Sequence, residues 1–242
     1  MEGKTRAEID KSESGDLAPT RKALRPRDAA TLILLDSVAG TNRVLLGRRS
    51  ARHAFMPGKF VFPGGRTDHT DSRIPVAAEL PPEDAARLGT GRSPARARAI
   101  ALSAVRETYE EAGLLIGVEV PFRTSKPEWR DFSRLGVSPT LEPLRYVARA
   151  ITPPGRVRRY DTHFFAAWRS AVQAELDKGP ADELEELCWL TFDEARTIAL
   201  PSITRTVLAE LESRLASDPQ LRPGGPVPFY RMVRGKMRRD LL

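Results

Sequence analysis

Arg106-Glu107-Thr108-Tyr109-Glu110-Glu111-Ala112-Gly113-Leu114 is the stretch on which the reading of this chain turns. Glu107, Glu110 and Glu111 stand at i, i+3 and i+4, so a helix puts the three carboxylates on one face. Carboxylates held that close repel one another when ionised. A divalent cation that prefers oxygen ligands, such as Mg²⁺ or Mn²⁺, would relieve the repulsion. Arg106 lies four residues before Glu110 and can pair with it, orienting one carboxylate of the set. The triplet also sits at the C-terminal end of its helix, where the macrodipole disfavours negative charge. The charged residues of the helix's first half, Arg96 and Arg98, are both basic.

Upstream of the triplet the helix is well marked. Ser93 suits the N-cap and Pro94 the first helical position. Ala97, Ile100, Ala101, Ala104, Val105 and Thr108 recur at helical spacing, and Gly113 follows as a stop. Further back, Ala30 to Leu35 reads as a buried strand, and Arg43 to Arg48 as its hairpin partner across a turn at 36–42. Phe60-Val61-Phe62 reads as a short strand stopped by Pro63-Gly64-Gly65. Residues 66–93 carry Pro75, Pro81, Pro82, Gly89 and Gly91 and lack periodicity, which predicts a long loop insertion with one helical turn near Glu83–Leu88. Downstream, Arg145–Thr152 and Tyr160–Trp168 read as strands joined by Pro153-Pro154-Gly155, and Leu187–Leu190 as another. Thr191 and Glu194 have capping-box spacing, and Ser202–Ala216 reads as an amphipathic helix. Strands mixed with two or three helices predict an α/β or α+β domain with a mixed sheet.

Composition limits the remaining choices. The length of 242 residues suits one domain, taken as 29–242, behind a polar tail over 1–28 that is expected to be disordered and lacks the apolar core of a signal peptide. No apolar run reaches the roughly 18 residues a membrane span needs. Cys188 is the only cysteine, so no disulfide forms within the chain; its apolar setting suggests a small buried hydrophobe, and a reducing, cytoplasmic compartment. The net charge of +7 favours anionic partners. The arginines are scattered and no aromatic platform interleaves them, so nucleic acid is not indicated. His53, His69 and His163 show no metal-ligand spacing, and His163, on a strand, reads as structural.

The triplet and its flanks match the second half of the Nudix box, Arg-Glu-x-x-Glu-Glu-x-Gly-apolar, and Phe62-Pro63-Gly64-Gly65 resembles the glycine turn that precedes the box. By this resemblance the chain is identified as a member of the Nudix hydrolases over about 28–200. The resemblance implies an α/β/α sandwich around a mixed sheet, with Glu107, Glu110, Glu111 and the Gly65 carbonyl binding Mg²⁺ or Mn²⁺. One position departs from the pattern. Eight residues before Arg106 stands Arg98, not the first box glutamate, and six residues after Gly65 stands Asp71, inside the insertion. That glutamate is therefore expected to be missing or displaced. The general base is open between Glu107 and a glutamate of the loop Glu183, Glu185, Glu186, a loop that also reads as a solvated acidic turn.

Leu45-Leu46-Gly47-Arg48-Arg49-Ser50, with Gly58 and Phe62-Pro63-Gly64-Gly65, is similar to the signature of coenzyme A diphosphatases, with Gly47 and Ala54 departing from it. The run Ala54–Gly65, the insertion, and Arg158-Arg159-Tyr160-Asp161-Thr162-His163 look closer to the peroxisomal-type animal enzymes and their bacterial relatives. The resemblance implies a small diphosphate substrate, coenzyme A or an acyl-coenzyme A, with Arg49, Arg52, Arg158, Arg159, Gly64 and Gly65 near its phosphates. Arg suits phosphate bidentately. The alternatives are a hydrolase of ADP-ribose or a dinucleotide, or a binding module with weak turnover. Monomer and homodimer are both open.

Overall fold

The apolar run Ala29–Leu35 is buried at almost every position because its strand is covered on both faces, as happens where helices flank a sheet. In the computed structural model, which describes residues 1–12, 24–50, 58–181 and 183–242, the elements run in chain order as follows. A short helix α1 (Arg6–Ser12) precedes the hairpin β1 (Arg27–Val38) and β2 (Thr41–Arg49), then β3 (Phe60–Val61) and β4 (Gly64–Arg66). The insertion holds a 3-10 helix (His69–Arg73) and α2 (Pro82–Gly89). The long helix α3 (Pro94–Ala112) leads into β5 (Leu114–Glu119), α4 (Arg130–Arg134) and β6 (Val137–Pro139). Then come β7 (Arg145–Ile151), β8 (Tyr160–Trp168), β9 (Val172–Glu175), β10 (Leu184–Thr191), α5 (Phe192–Thr197), α6 (Ser202–Ser217), β11 (Pro228–Val233) and β12 (Lys236–Leu241).

The main sheet has the order β10-β2-β1-β8-β7-β11-β12, with β3 on β2 and β4 on β1. The pairs β1–β8 and β7–β11 are parallel and the rest antiparallel, so the sheet is mixed. Alternation along β1 feeds two cores. Ala30, Leu32 and Leu34 pack with Ile100, Ala104, Val105 and Tyr109 of α3. Ile33 and Leu35 pack on the other face with Val207, Leu208 and Leu211 of α6. This is an α/β/α sandwich, as expected. A second sheet, β6-β5-β9, follows α3; none of its strands was anticipated, nor was the hairpin β11–β12.

Two expectations fail. The first twelve residues are not a free tail. Gly3 N–H donates to Met237 O (2.9 Å), Met237 N–H to Lys4 O (2.9 Å), and Thr5 bridges Lys236, while Ile9 is buried in the α6-side core. A polar composition predicted disorder, but β12 supplies the backbone partners and one isoleucine the anchor. The insertion is likewise more than a loop: the helical turn expected near Glu83–Leu88 forms as α2, and the rest of the segment is packed. Its Ile74, Leu80 and Leu88 join the α3-side core. Asp84, fully buried, accepts from the backbone N–H of Tyr146 (3.1 Å) and Gly224 (3.4 Å), which fixes α2 to β7 and the C-terminal segment. Among the described residues, no helix is long and apolar enough to cross a membrane.

Candidate functional site

The antiparallel pairing of β4 with β1 sets Gly64 opposite Thr31 and Gly65 opposite Ala30, at the end of α3 that carries the glutamates. α3 forms as its caps dictate. The Ser93 hydroxyl accepts from Arg96 N–H (3.3 Å), and Gly113 takes the left-handed conformation at φ 71°, which glycine adopts without strain. The last turns of α3 therefore project Glu107 and Glu111 toward the glycine turn, while Glu110 turns to Arg106.

Glu111 is buried, and its Oε2 accepts from the Gly64 N–H (2.9 Å). Its Oε1 is shielded from solvent and has no hydrogen-bond partner. Glu107 lies so close to Gly65 that a Cβ on that glycine would fall onto its carboxylate. Arg106, also buried, spreads its guanidinium over the remaining groups. Nη1 contacts Glu110 Oε2 (2.6 Å) and Glu107 Oε1 (2.8 Å), Nη2 donates to Arg66 O (3.1 Å), and Nε contacts both Asp71 oxygens (3.2 and 3.1 Å).

Asp71, at the place where the box expects a glutamate, thus meets Arg106 from the 3-10 helix and also receives the Trp129 indole. Of the two expectations for that position, missing or displaced, the structure fits the second. A carboxylate is present, one methylene shorter, and the extra residues lie between it and α3. The pairing of Arg106 with Glu110, read from the i, i+4 spacing, is formed.

Three carboxylates (Asp71, Glu107, Glu110) share the Arg106 guanidinium and Glu111 adds a fourth beside them, so charge is under-neutralised. Burial pushes Glu111 well above the ordinary carboxylate range, with the Gly64 N–H opposing. Burial also lifts Glu107 to about 7, against the pull of Arg106 and with a further push from Glu110. Glu110 and Asp71 rise for the same first reason and are held back by Arg106. Burial works against the Arg106 charge, yet Glu107, Asp71 and Glu110 keep it above its ordinary value. A buried, unpartnered carboxylate oxygen inside a net negative cluster is what a hard cation with oxygen ligands fits. Glu183, from the loop before β10, lies near this cluster and within 3.7 Å of Arg49. Glu186 instead pairs with Arg48 on the exposed side (3.0 Å).

A second acidic grouping does not suit a metal. Asp28, Asp161 and His163 have potential ligand atoms within 4.8 Å of one another. Arg96 holds Asp28, Arg149 grips Asp161 bidentately (2.7 and 2.6 Å), and Arg92 reaches both Asp161 (3.2 Å) and His163 Nε2 (3.1 Å). Three guanidiniums against two carboxylates leave the cluster positive. Burial and the neighbouring Arg92 and Arg149 hold His163 well below its ordinary value, so it is neutral and structural. The network fastens the insertion and the start of α3 to β1, β7 and β8.

The glycine turn opens onto a cavity of about 1050 Å³, lined at one end by Glu107, Asp68, Asp71 and Glu183. Arg49, Arg158 and Arg159 line it, as does the unforeseen Arg66. Arg159 is fixed by the carbonyls of Thr152 (3.0 Å) and Leu24 (2.6 Å). Arg52 lies outside the described residues. Sequence reasoning missed the apolar end, where Phe62, Phe164, Ile203 and Met237 converge from four separate segments; no local pattern marks them.

No family model matches the chain. A NUDIX hydrolase from Alicyclobacillus acidocaldarius superimposes with a TM-score of 0.57 at 25% identity, over 76% of this chain and 90% of that one. The acyl-coenzyme A diphosphatase NUDT19 of Gallus gallus is 28% identical over an alignment that takes in 57% of this chain and 54% of the relative. The chain therefore spans about half the length of the curated relative it matches. Sandwich, glycine turn and glutamate helix agree with these likenesses, and the chain resembles Nudix hydrolases in fold and in the arrangement of this site.

Proposed function

We propose that this chain hydrolyses a diphosphate bond in a nucleoside diphosphate derivative, with coenzyme A or an acyl-coenzyme A as substrate, giving 3′,5′-ADP and a 4′-phosphopantetheine species. The observation that carries the hydrolase reading is the buried Glu111 Oε1, which has no partner while its sister oxygen is held by the glycine turn. Glu107, Glu110, Glu111 and the Gly65 carbonyl would hold Mg²⁺ or Mn²⁺. Such a cation, when bound, offsets the charge of the diphosphate and acidifies the attacking water. Arg106 keeps Glu107 and Glu110 in place. Arg49, which lines the cavity, would meet a phosphate oxygen. Glu183, which lines the cavity while Glu185 and Glu186 do not, would take the proton from the water.

The coenzyme A choice is supported by the chicken relative and by a cavity at the upper end of the range for small-molecule sites. A cytoplasmic location rests on the cysteine usage alone. The test is turnover of coenzyme A, decanoyl-coenzyme A, ADP-ribose, NADH and diadenosine polyphosphates with Mg²⁺ or Mn²⁺, using wild type and Glu111→Gln. Hydrolysis of the coenzyme A compounds above the others, abolished in the variant, is expected. Preference for ADP-ribose or a dinucleotide would replace the substrate. Full activity of Glu111→Gln would overturn the metal site.

A further inference from the structure

The cavity has a second, opposite electrostatic end. Arg27, Ala29 and Thr31 alternate along β1 and face the cavity, as a strand requires, and Arg25 continues the same period into the segment before it. The parallel register sets Arg27 beside Tyr160, and the Arg27 N–H donates to Arg159 O (3.0 Å), so the basic runs 25–27 and 158–159 lie side by side. Arg66, opposite Ala29, flanks them. Among the described residues, Arg25, Arg27, Arg66 and Arg158 make no ion pair, and Arg159 is bonded only to carbonyl oxygens. The nearby carboxylates are engaged elsewhere: Asp28 alternates to the other side and is held by Arg96, and Asp161 by Arg149 and Arg92. Crowded guanidiniums without a counter-charge at a concave surface favour an anion.

This end is not where the diphosphate would sit. Arg27 is three positions before Ala30, the strand partner of Gly65. At a rise of about 3.3 Å per residue, it stands roughly 10 Å along β1 from the glycine turn. That is one nucleoside away from the glutamates.

We infer that Arg25, Arg27 and Arg158 form a binding site for a phosphate monoester on the nucleoside half of the substrate, separate from the cleaved diphosphate. The inference rests on the reading of the glutamate end as the diphosphate site. It makes the chain selective for nucleotides carrying a phosphate on the ribose as well as at the 5′ end.

The experiment compares ligands that differ only in that group. Titration calorimetry with 3′,5′-ADP and 5′-AMP on the full chain is expected to show about tenfold tighter binding of 3′,5′-ADP. In Arg25→Gln/Arg27→Gln and in Arg158→Gln that ratio should fall toward one, with 5′-AMP affinity and melting temperature unchanged. In turnover, coenzyme A should outperform dephospho-coenzyme A through KM, with similar kcat, and the variants should erase the difference. Equal binding of the two nucleotides by wild type would overturn the inference. So would variants that weaken both nucleotides alike, since that is diffuse attraction. Absence of coenzyme A turnover with the 3′,5′-ADP preference intact would sink the substrate reading and leave the arginine site standing.

Discussion

Replacing Asp71 by alanine tests whether the insertion supplies a working part of the site. Asp71 is 3% exposed and Arg106 7%. Both Asp71 oxygens meet Arg106 Nε, so the substitution strips a buried guanidinium nitrogen of its acceptors. Removing one partner of a buried ion pair costs about 3–5 kcal/mol. Arg106 keeps Glu107 and Glu110 on Nη1, which puts the expected loss at the lower end, about 3 kcal/mol. For a chain of this size that is a fall of roughly 10 °C in melting temperature. It can be read by urea unfolding followed by tryptophan fluorescence, since Trp129 also contacts Asp71. Because Arg106 positions two of the three glutamates, the Mg²⁺ concentration for half-maximal activity should rise about tenfold or more. Asp71→Asn, which can still accept one bond, should lie between wild type and alanine in both measurements. A stability change under about 0.5 kcal/mol with unaltered Mg²⁺ dependence would mean that Asp71 does not stand in for the box glutamate.

Three further outcomes are expected. In the metal-free protein the Glu107 carboxyl titrates near 7 rather than 4.5. Its contribution to stability is therefore present at low pH and lost as pH rises through that window, so the melting-temperature gap between Mg²⁺-loaded and metal-free protein should widen from about pH 5 to about pH 8; a constant gap would refute this. Gly65→Ala should cut activity at least tenfold with the fold retained by circular dichroism, because the added Cβ displaces the Glu107 carboxylate; a near-normal rate would show that the contact is dispensable. Glu183→Gln should lower kcat by about 10²–10⁴ with little effect on Mg²⁺ affinity, while Glu186→Gln, whose carboxylate pairs with Arg48 outside the cavity, changes little. Equal effects of the two would remove Glu183 from the proton-transfer role.

What the sequence made legible was whatever its own neighbours enforce. α3 was readable because Ser93, Pro94 and Gly113 mark its ends and the glutamates share one face by spacing alone. The helix at Thr191 was readable because its capping box is local, and both halves of it form. The segments that were missed are held by distant partners. β5 and β9 pair across more than fifty residues of chain, and residues 1–12 owe their order to β12. The final hairpin did carry a local signal, Arg234-Gly235, both at positive φ, and it went unread.

Asp71 shows the limit most clearly. Counting from Gly65 reached the correct position, but counting back from Arg106 reached Arg98, and one chain cannot say where inside a box an insertion falls. Physics decides between the two counts. Arg98 would have set a second guanidinium against Arg106, whereas Asp71 supplies the buried counter-charge that Arg106 needs. The insertion can grow only where both of its ends stay fastened, and Asp71 on Arg106 and Arg92 on Asp161 are those two fastenings. Between them the chain was free to add α2, provided Asp84 found the Tyr146 and Gly224 amides. A break in a motif's spacing is therefore weak grounds for inferring lost chemistry when a like-charged residue sits at the correct distance from one end.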